Sequence, residues 1–176
     1  DYDWAWLQVD DCIEFEPLGV GVKGQGNILR ATCEYLPAGS ETLDKLSTPD
    51  PHRDGRMPAL LDALRRLRAE YGDSACICGR VAAPFSSVTL LFGIQETMMQ
   101  LADQGFLRDA LAFCADMQIR FATAQVEAGA HAIWLGDCNA STHLISPAAY
   151  RQYALPEARR VVQAIQAAGG LVICHN

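Results

Sequence analysis

The chain has no run of lysine or arginine, no internal repeat and no low-complexity tract. Nor does any apolar stretch reach the ~20 residues that a membrane-spanning helix needs. With a formal net charge of −7, the missing basic run argues against a nucleic acid partner, because binding a polyanion needs a cationic face that releases counterions. The missing apolar stretch argues against a membrane span, and no signal-peptide pattern opens the chain. Cysteines number seven, an odd count, and they lie mostly in apolar runs such as Ser74-Ala75-Cys76-Ile77-Cys78-Gly79. That pattern predicts buried thiols in a reducing cytoplasm and not a disulfide framework. An initiator methionine is also missing. The chain opens on Asp1-Tyr2-Asp3-Trp4 and stops at Cys174-His175-Asn176, directly after a core-like apolar run, so the sequence reads as a piece of a longer protein.

What is present suffices for one α/β domain: 176 residues, half of them hydrophobic. Two long amphipathic helices are predicted. One runs over Phe106–Ala128, with apolar residues at three-to-four spacing and Gly129 as its stop. The other runs over Pro147–Ala168, with Ser146 as N-cap and a kink at Pro156. Further helices are expected over Met57–Tyr71 and about Ile94–Gln104. Between them, Trp6–Val9, Ala75–Val81, Ala130–Gly136 and Leu171–Cys174 are apolar on consecutive residues, as parallel strands covered on both faces would be. Short turns at Tyr71-Gly72-Asp73, Gly129 and Gly169-Gly170 join helix to strand, so the units are βαβ. Leu18 to Arg56, rich in glycine and proline, reads as an irregular excursion with a hairpin.

Periodicity leaves an open doubly wound sheet and part of a closed barrel both possible. Either places chemistry at the carboxyl ends of the strands. The polar residues there are Asp10-Asp11, Arg80, Asp137 to Ser141, and His175-Asn176. Crowding Asp137, Asn139 and Ser141 at one strand end costs desolvation, which favours a task for them over backbone satisfaction alone. Two other strings are set aside. Gly19-Val20-Gly21-Val22-Lys23-Gly24 matches a dinucleotide fingerprint, but no amphipathic helix follows to face a pyrophosphate. Cys76 and Cys78 share one face of a strand, with too little chain between them to wrap zinc, and read as structural. Of the histidines, His131 and His143 read as structural and His52 as an exposed loop residue. His175, at a strand end, is open to a ligand, acid/base or packing role.

Taken together, three segments resemble the uroporphyrinogen decarboxylase superfamily. They are LSTPDPHRDGRMPALLDALRRL, GRVAAPFSSVTLLFGIQETMMQL with its glycine–proline–aromatic turn and following helix, and VEAGAHAIWLGDCNASTHLISPAAYRQYALPEARRVVQAI. The resemblance runs over nearly the whole chain. It implies a (β/α)8 barrel with its site in the mouth, about half of which would lie in these residues. Within the superfamily, Glu14-Phe15-Glu16-Pro17-Leu18-Gly19 and Asp137-Cys138-Asn139-Ala140-Ser141 are similar to motifs of the corrinoid methyltransferase branch. True decarboxylases have a tyrosine where Leu90 stands and a serine where Cys138 stands. Asp10, in contrast, lies where a decarboxylase aspartate would.

The resemblance implies a methyl transfer between a corrinoid protein and a thiol activated by Zn2+. His175 would be the first residue of a His-x-Cys zinc pair. Asp10 and Asp137 would be catalytic, and Glu14, Arg80, Asn139 and Ser141 would contact substrate or orient ligands. A decarboxylase-like lyase acting on a tetrapyrrole, and a barrel that binds a ligand without catalysis, remain as alternatives.

Overall fold

Four short apolar runs pair into one parallel sheet in the computed structural model, which describes residues 3–7, 9–72, 74–101 and 104–176. The first strand, β1 (Trp4–Trp6), leads through a 3-10 turn (Glu16–Leu18) to an antiparallel hairpin, β2 (Gly21–Lys23) and β3 (Ala31–Glu34). A short helix α1 (Ser40–Leu43) and the long α2 (Met57–Tyr71) then return the chain to the sheet as β4 (Cys76–Ala82). Three helices follow: α3 (Pro84–Phe92), α4 (Ile94–Met99) and α5 (Gln104–Glu127). After β5 (Ala132–Gly136) come α6 (Pro147–Ala149), a π-helical turn (Tyr150–Ala154), α7 (Leu155–Ala167) and finally β6 (Leu171–His175). The sheet order is β1-β4-β5-β6, with every pairing parallel. Among the described residues no helix is long and apolar enough to cross a membrane.

Side-chain alternation gives the sheet two unlike faces. Ile77, Val81, Ile133 and Leu135 point to the helices and join Leu61 and Leu64 of α2, Phe121 of α5, and Val161 and Ile165 of α7 in one buried cluster. The opposite face carries Trp4 and Trp6, which are exposed, with Arg80, Trp134 and His175. The strands are therefore covered on one face in this chain, where consecutive apolar residues predicted cover on both. The uncovered face is the one that a closed barrel turns inward.

Strand positions follow the expected runs closely, except that the first is paired over Trp4–Trp6 and not Trp6–Val9. Beyond Trp6, among the described residues, the Leu7 amide continues the ladder to the Cys78 carbonyl at 3.3 Å. The run Ile94–Gln104 is not one helix either: α4 ends at Met99, and α5 starts at Gln104. Expectations also touched Asp1, Tyr2, Gln8, Asp73, Ala102 and Asp103, which lie outside the described residues. A separate helix, α3, occupies the stretch after Pro84, its first residue; it is buried on nearly all sides, so it lacks the amphipathic stripe that marks surface helices. At Pro156 the helix accommodates the missing N–H upstream. The Leu155 amide reaches back five residues to the Tyr150 carbonyl, so the turn widens.

The string Gly19 to Gly24 ends a 3-10 turn and enters hairpin strand β2, with no helix behind it. All seven cysteines are free; Cys12, Cys78 and Cys114 are buried, but Cys33, Cys138 and Cys174 are exposed, contrary to the expectation of burial. His131 is structural, its Nδ1 accepting the Ile77 amide at 2.9 Å.

Candidate active site at the carboxyl ends of the strands

Because β1 leaves the sheet early, the edge of β4 beyond Cys78 has no strand beside it. Two side chains take over. Gln125 of α5 accepts the Arg80 amide through Oε1 at 2.9 Å and donates Nε2 to the Arg80 carbonyl at 2.8 Å. This reach requires Gly79, where a Cβ would sit 2.4 Å from Gln125 Oε1. One step further, the Ala82 amide donates to both oxygens of Glu14 at 3.3 Å. Glu14 is fully enclosed and is also held by the Gln118 amide, which in turn donates to Ser87 Oγ at 2.9 Å. Burial pushes the Glu14 carboxyl up to about 7, against the opposing pull of Arg80 and the Gln118 hydrogen bond. Glu14 thus completes the sheet edge from inside the protein.

Arg80 points to the open face of the sheet. Its guanidinium donates to the Val9 carbonyl at 2.9 Å and to Asp11 at 2.6 Å, and lies 5.6 Å from the Trp134 ring centroid. It ties the end of the first strand segment to β4.

Asp10, next to Asp11, faces a different partner. Arg56, just before α2, makes a forked pair with it, at 2.9 Å through Nη1 and 2.7 Å through Nη2, and grips Glu16 through Nε at 2.9 Å. Arg30 adds a second cation on Glu16 at 2.8 Å. Burial alone would raise both carboxyls. The Arg56 hydrogen bonds and charge outweigh it, together with the Cys12 amide on Asp10 and Arg30 on Glu16, and hold both below the usual carboxylate range.

At the end of β5, Asp137 turns toward the start of α3. Its Oδ1 accepts the Ser86 amide at 3.2 Å and the Ser86 hydroxyl at 2.9 Å. Its Oδ2 is buried and has no partner among the described residues. Burial pushes this carboxyl up to about 6, even with two hydrogen bonds opposing. Asn139 is fixed beside it, donating its amide to Thr89 Oγ1 at 2.6 Å and its backbone N–H to Ser86 Oγ at 3.2 Å. Ser141 lies further along the loop, on the wall of an open cavity of about 510 Å³ with His143, Tyr150, Arg151 and Asn176.

His175 ends β6 on the open face. Its ring lies 5.3 Å from Trp134, whose indole occupies the space above Gly136; a Cβ on Gly136 would be 2.1 Å from that ring. Its Nδ1 is 3.4 Å from Cys138 Sγ, and both residues are exposed. An imidazole and a thiol at this separation suit a borderline-soft ion such as zinc. No group of three or more histidine, cysteine or acidic side chains is gathered for a metal among the described residues.

All the expected site residues therefore stand at the same end of the sheet, in separate bonding environments. Asp10 belongs to the Arg56 cluster, Glu14 to the interior, Arg80 to the β1 junction, Asp137 and Asn139 to α3, and His175 to Cys138. The residues that hold them, Arg56, Ser86, Gln118 and Gln125, went unnoticed in the sequence. For the glutamines a signal existed: they fall on the stripe Leu111, Cys114, Gln118, Phe121, Gln125, where a buried polar side chain must be bonded.

A parallel α/β sheet with polar residues massed at its carboxyl ends, helices on one face and an aromatic open face defines part of a (β/α) barrel enzyme fold. The family model described as uroporphyrinogen decarboxylase (URO-D) matches residues 1–176, and the chain belongs to that family. A methylcobamide:CoM methyltransferase MtbA from Methanosarcina mazei is 31% identical over 175 residues, covering 95% of this chain and 50% of the relative. A uroporphyrinogen decarboxylase from Staphylococcus carnosus is 29% identical over 180 residues, covering 94% of this chain and 48% of the relative. The fold is shared with a solved methyltransferase from Methanosarcina mazei at a TM-score of 0.87 and 23% identity, over 98% of this chain and 51% of that one. The chain spans about half the length of the curated relatives it matches.

Proposed function

We propose that the protein containing this chain is a corrinoid-dependent methyltransferase, moving a methyl group between a corrinoid protein and a thiol held at zinc. The observation that carries this reading is the His175–Cys138 pair, 3.4 Å apart at the ends of β6 and β5, in a chain 31% identical to a methylcobamide:CoM methyltransferase. His175 would bind the metal, with Cys138, 3.4 Å from its Nδ1, as a soft donor beside it. Bound zinc lowers the pKa of a thiol ligand and so supplies a thiolate near neutral pH. Trp134 fixes the His175 ring from one side, and Gly136 leaves room for that contact. Asp137, raised toward neutrality with Oδ2 unpaired, can accept or return the proton that a thiol or its partner exchanges during transfer. Asn139 and Ser141 would line the pocket beside it.

A decarboxylase-like activity is the second reading, favoured by the similarity to the Staphylococcus carnosus enzyme. It would use Asp10 at the mouth, but that carboxylate is already occupied by Arg56. The test is to supply full-length protein with methylcobalamin and a panel of thiols, following the corrinoid spectrum, and in parallel with uroporphyrinogen. Thiol-dependent demethylation that disappears on zinc chelation is expected. Decarboxylation without any demethylation would overturn the proposal.

A further inference from the structure

Ser86, on the first turn of α3, directs both its amide and its hydroxyl at the end of β5. The backbone N–H and the hydroxyl donate to Asp137 Oδ1, at 3.2 and 2.9 Å, and the same hydroxyl accepts the Asn139 N–H at 3.2 Å. One buried oxygen therefore fastens the residues on either side of Cys138. Cys138 in turn places its Sγ 3.4 Å from His175 Nδ1. A second hydroxyl of α3 supports the first. Thr89 Oγ1 accepts the Asn139 side-chain amide at 2.6 Å and donates to the Ser86 carbonyl at 2.7 Å. On the strand side, the Asp137 amide donates to the His175 carbonyl at 2.7 Å, so Asp137 is tied to β6 as well as to α3.

The chemistry of the position calls for a hydroxyl, because one atom must donate to a carboxylate and accept an N–H at once. The two bonds to Oδ1 also decide which oxygen of Asp137 is left over: Oδ2 is the one without a partner among the described residues. The neighbouring Ser87 is equally enclosed but faces another network. Its hydroxyl donates to the Ala83 carbonyl at 3.0 Å and accepts Gln118 Nε2 at 2.9 Å. Two adjacent serines of one turn therefore have separable tasks, one toward the rim and one toward the interior.

We propose that Ser86 is a positioning residue for the rim: its hydroxyl holds Cys138 against His175 and turns Asp137 so that Oδ2 is the oxygen free to act. Ser86 is only 4% exposed and works through residues 137–139, not by touching a ligand. The proposal rests on the methyltransferase reading for what the rim does, but not for how it is held.

The experiment compares full-length wild type with Ser86→Ala, Ser86→Thr and Ser87→Ala. Cobalt in place of zinc reports the ligand geometry at His175 through its visible absorption, and methylcobalamin with a thiol reports turnover. Ser86→Ala should alter the cobalt spectrum and lower kcat/KM about tenfold or more, the scale of one lost hydrogen bond to a charged group. Ser86→Thr keeps the hydroxyl and should recover most of both. Ser87→Ala loses an equally buried hydroxyl, so it should lower the unfolding midpoint and leave spectrum and turnover near wild type. A wild-type spectrum and turnover in Ser86→Ala overturns the proposal. Equal changes in Ser86→Ala and Ser87→Ala also overturn it, since the hydroxyl would then be structural only; if Ser86→Thr does not fold, this comparison decides. A spectrum altered in Ser86→Ala alone, in a protein with no methyl transfer, defeats the functional reading and leaves the positioning intact. If the wild type takes up no cobalt, crystals of Ser86→Ala replace the spectrum, and a Cys138–His175 separation still near 3.4 Å overturns the proposal.

Discussion

Replacing Arg56 by methionine should destabilise the protein by roughly 2–3 kcal/mol at neutral pH, a range set by what the guanidinium leaves behind. Arg56 makes four hydrogen bonds to two carboxylates, at 2.7 to 2.9 Å. The side chains of Asp10 and Glu16 are only 9% and 17% exposed, so neither can recover its solvation when the arginine goes. Breaking a fully buried pair costs about 3–5 kcal/mol. Here the cost is lower, because a third of the Arg56 side chain reaches water and Arg30 still covers Glu16. The assay is urea unfolding of full-length wild type, Arg56→Met, Asp10→Asn and the double variant. Asp10→Asn in the Arg56→Met background should restore part of the loss, since it removes the stranded charge. The sign with pH follows from the lowered carboxyls: their contribution is complete above the ordinary carboxylate range and is lost as the pH falls through their depressed values. A loss below about 0.5 kcal/mol, the scale of an ordinary surface substitution, would refute the view that Asp10 is pinned.

Glu14 behaves oppositely: with its carboxyl raised from 4.5 to about 7, its contribution is complete below pH 4.5 and lost as pH rises through 7. Glu14→Gln should therefore abolish a decline of roughly 3 kcal/mol across that window, read from denaturant midpoints against pH. His175→Ala should lose zinc while remaining folded, because the residue is exposed at the rim; elemental analysis beside circular dichroism checks both, and unchanged zinc in a folded variant removes His175 from the ligand set. Gly136→Ala should lower metal affinity, since a Cβ there collides with the Trp134 ring that backs His175; a cobalt titration with unaltered affinity would count against the positioning role of Trp134.

The sheet was legible in the sequence because β4, β5 and β6 are short apolar runs separated by helices with glycine stops, and those signals are local. The first strand, expected over Trp6–Val9, is paired over Trp4–Trp6, two residues earlier at its start and three at its end. At a sheet edge with one face uncovered, an apolar run does not by itself fix where pairing begins. At the site, the carboxyl-end polar residues could be read from strand position alone. Their partners could not: Asp10 and Arg56 are 46 residues apart, Asp137 and Ser86 are 51, and Glu14 and Gln118 are 104. Nothing local in a sequence distinguishes a carboxylate that is bonded at such a distance from one that is free.

Bond commitment then separates the rim residues by what each is able to do. A group already saturated by protein partners must break them before it touches a ligand, and for a buried charge that loss is several kcal/mol. Asp10 would have to leave a forked arginine, Glu14 an enclosed amide and the edge of β4, and Arg80 its two anchors at the end of β1. Their charges shape the mouth mainly by holding its strands in place. Asp137 keeps one buried oxygen unused, and His175 and Cys138 meet each other at an exposed edge. These uncommitted groups come from the β5–α6 loop and the end of β6, so the side chains still free to bond a ligand lie at one neighbouring pair of strands.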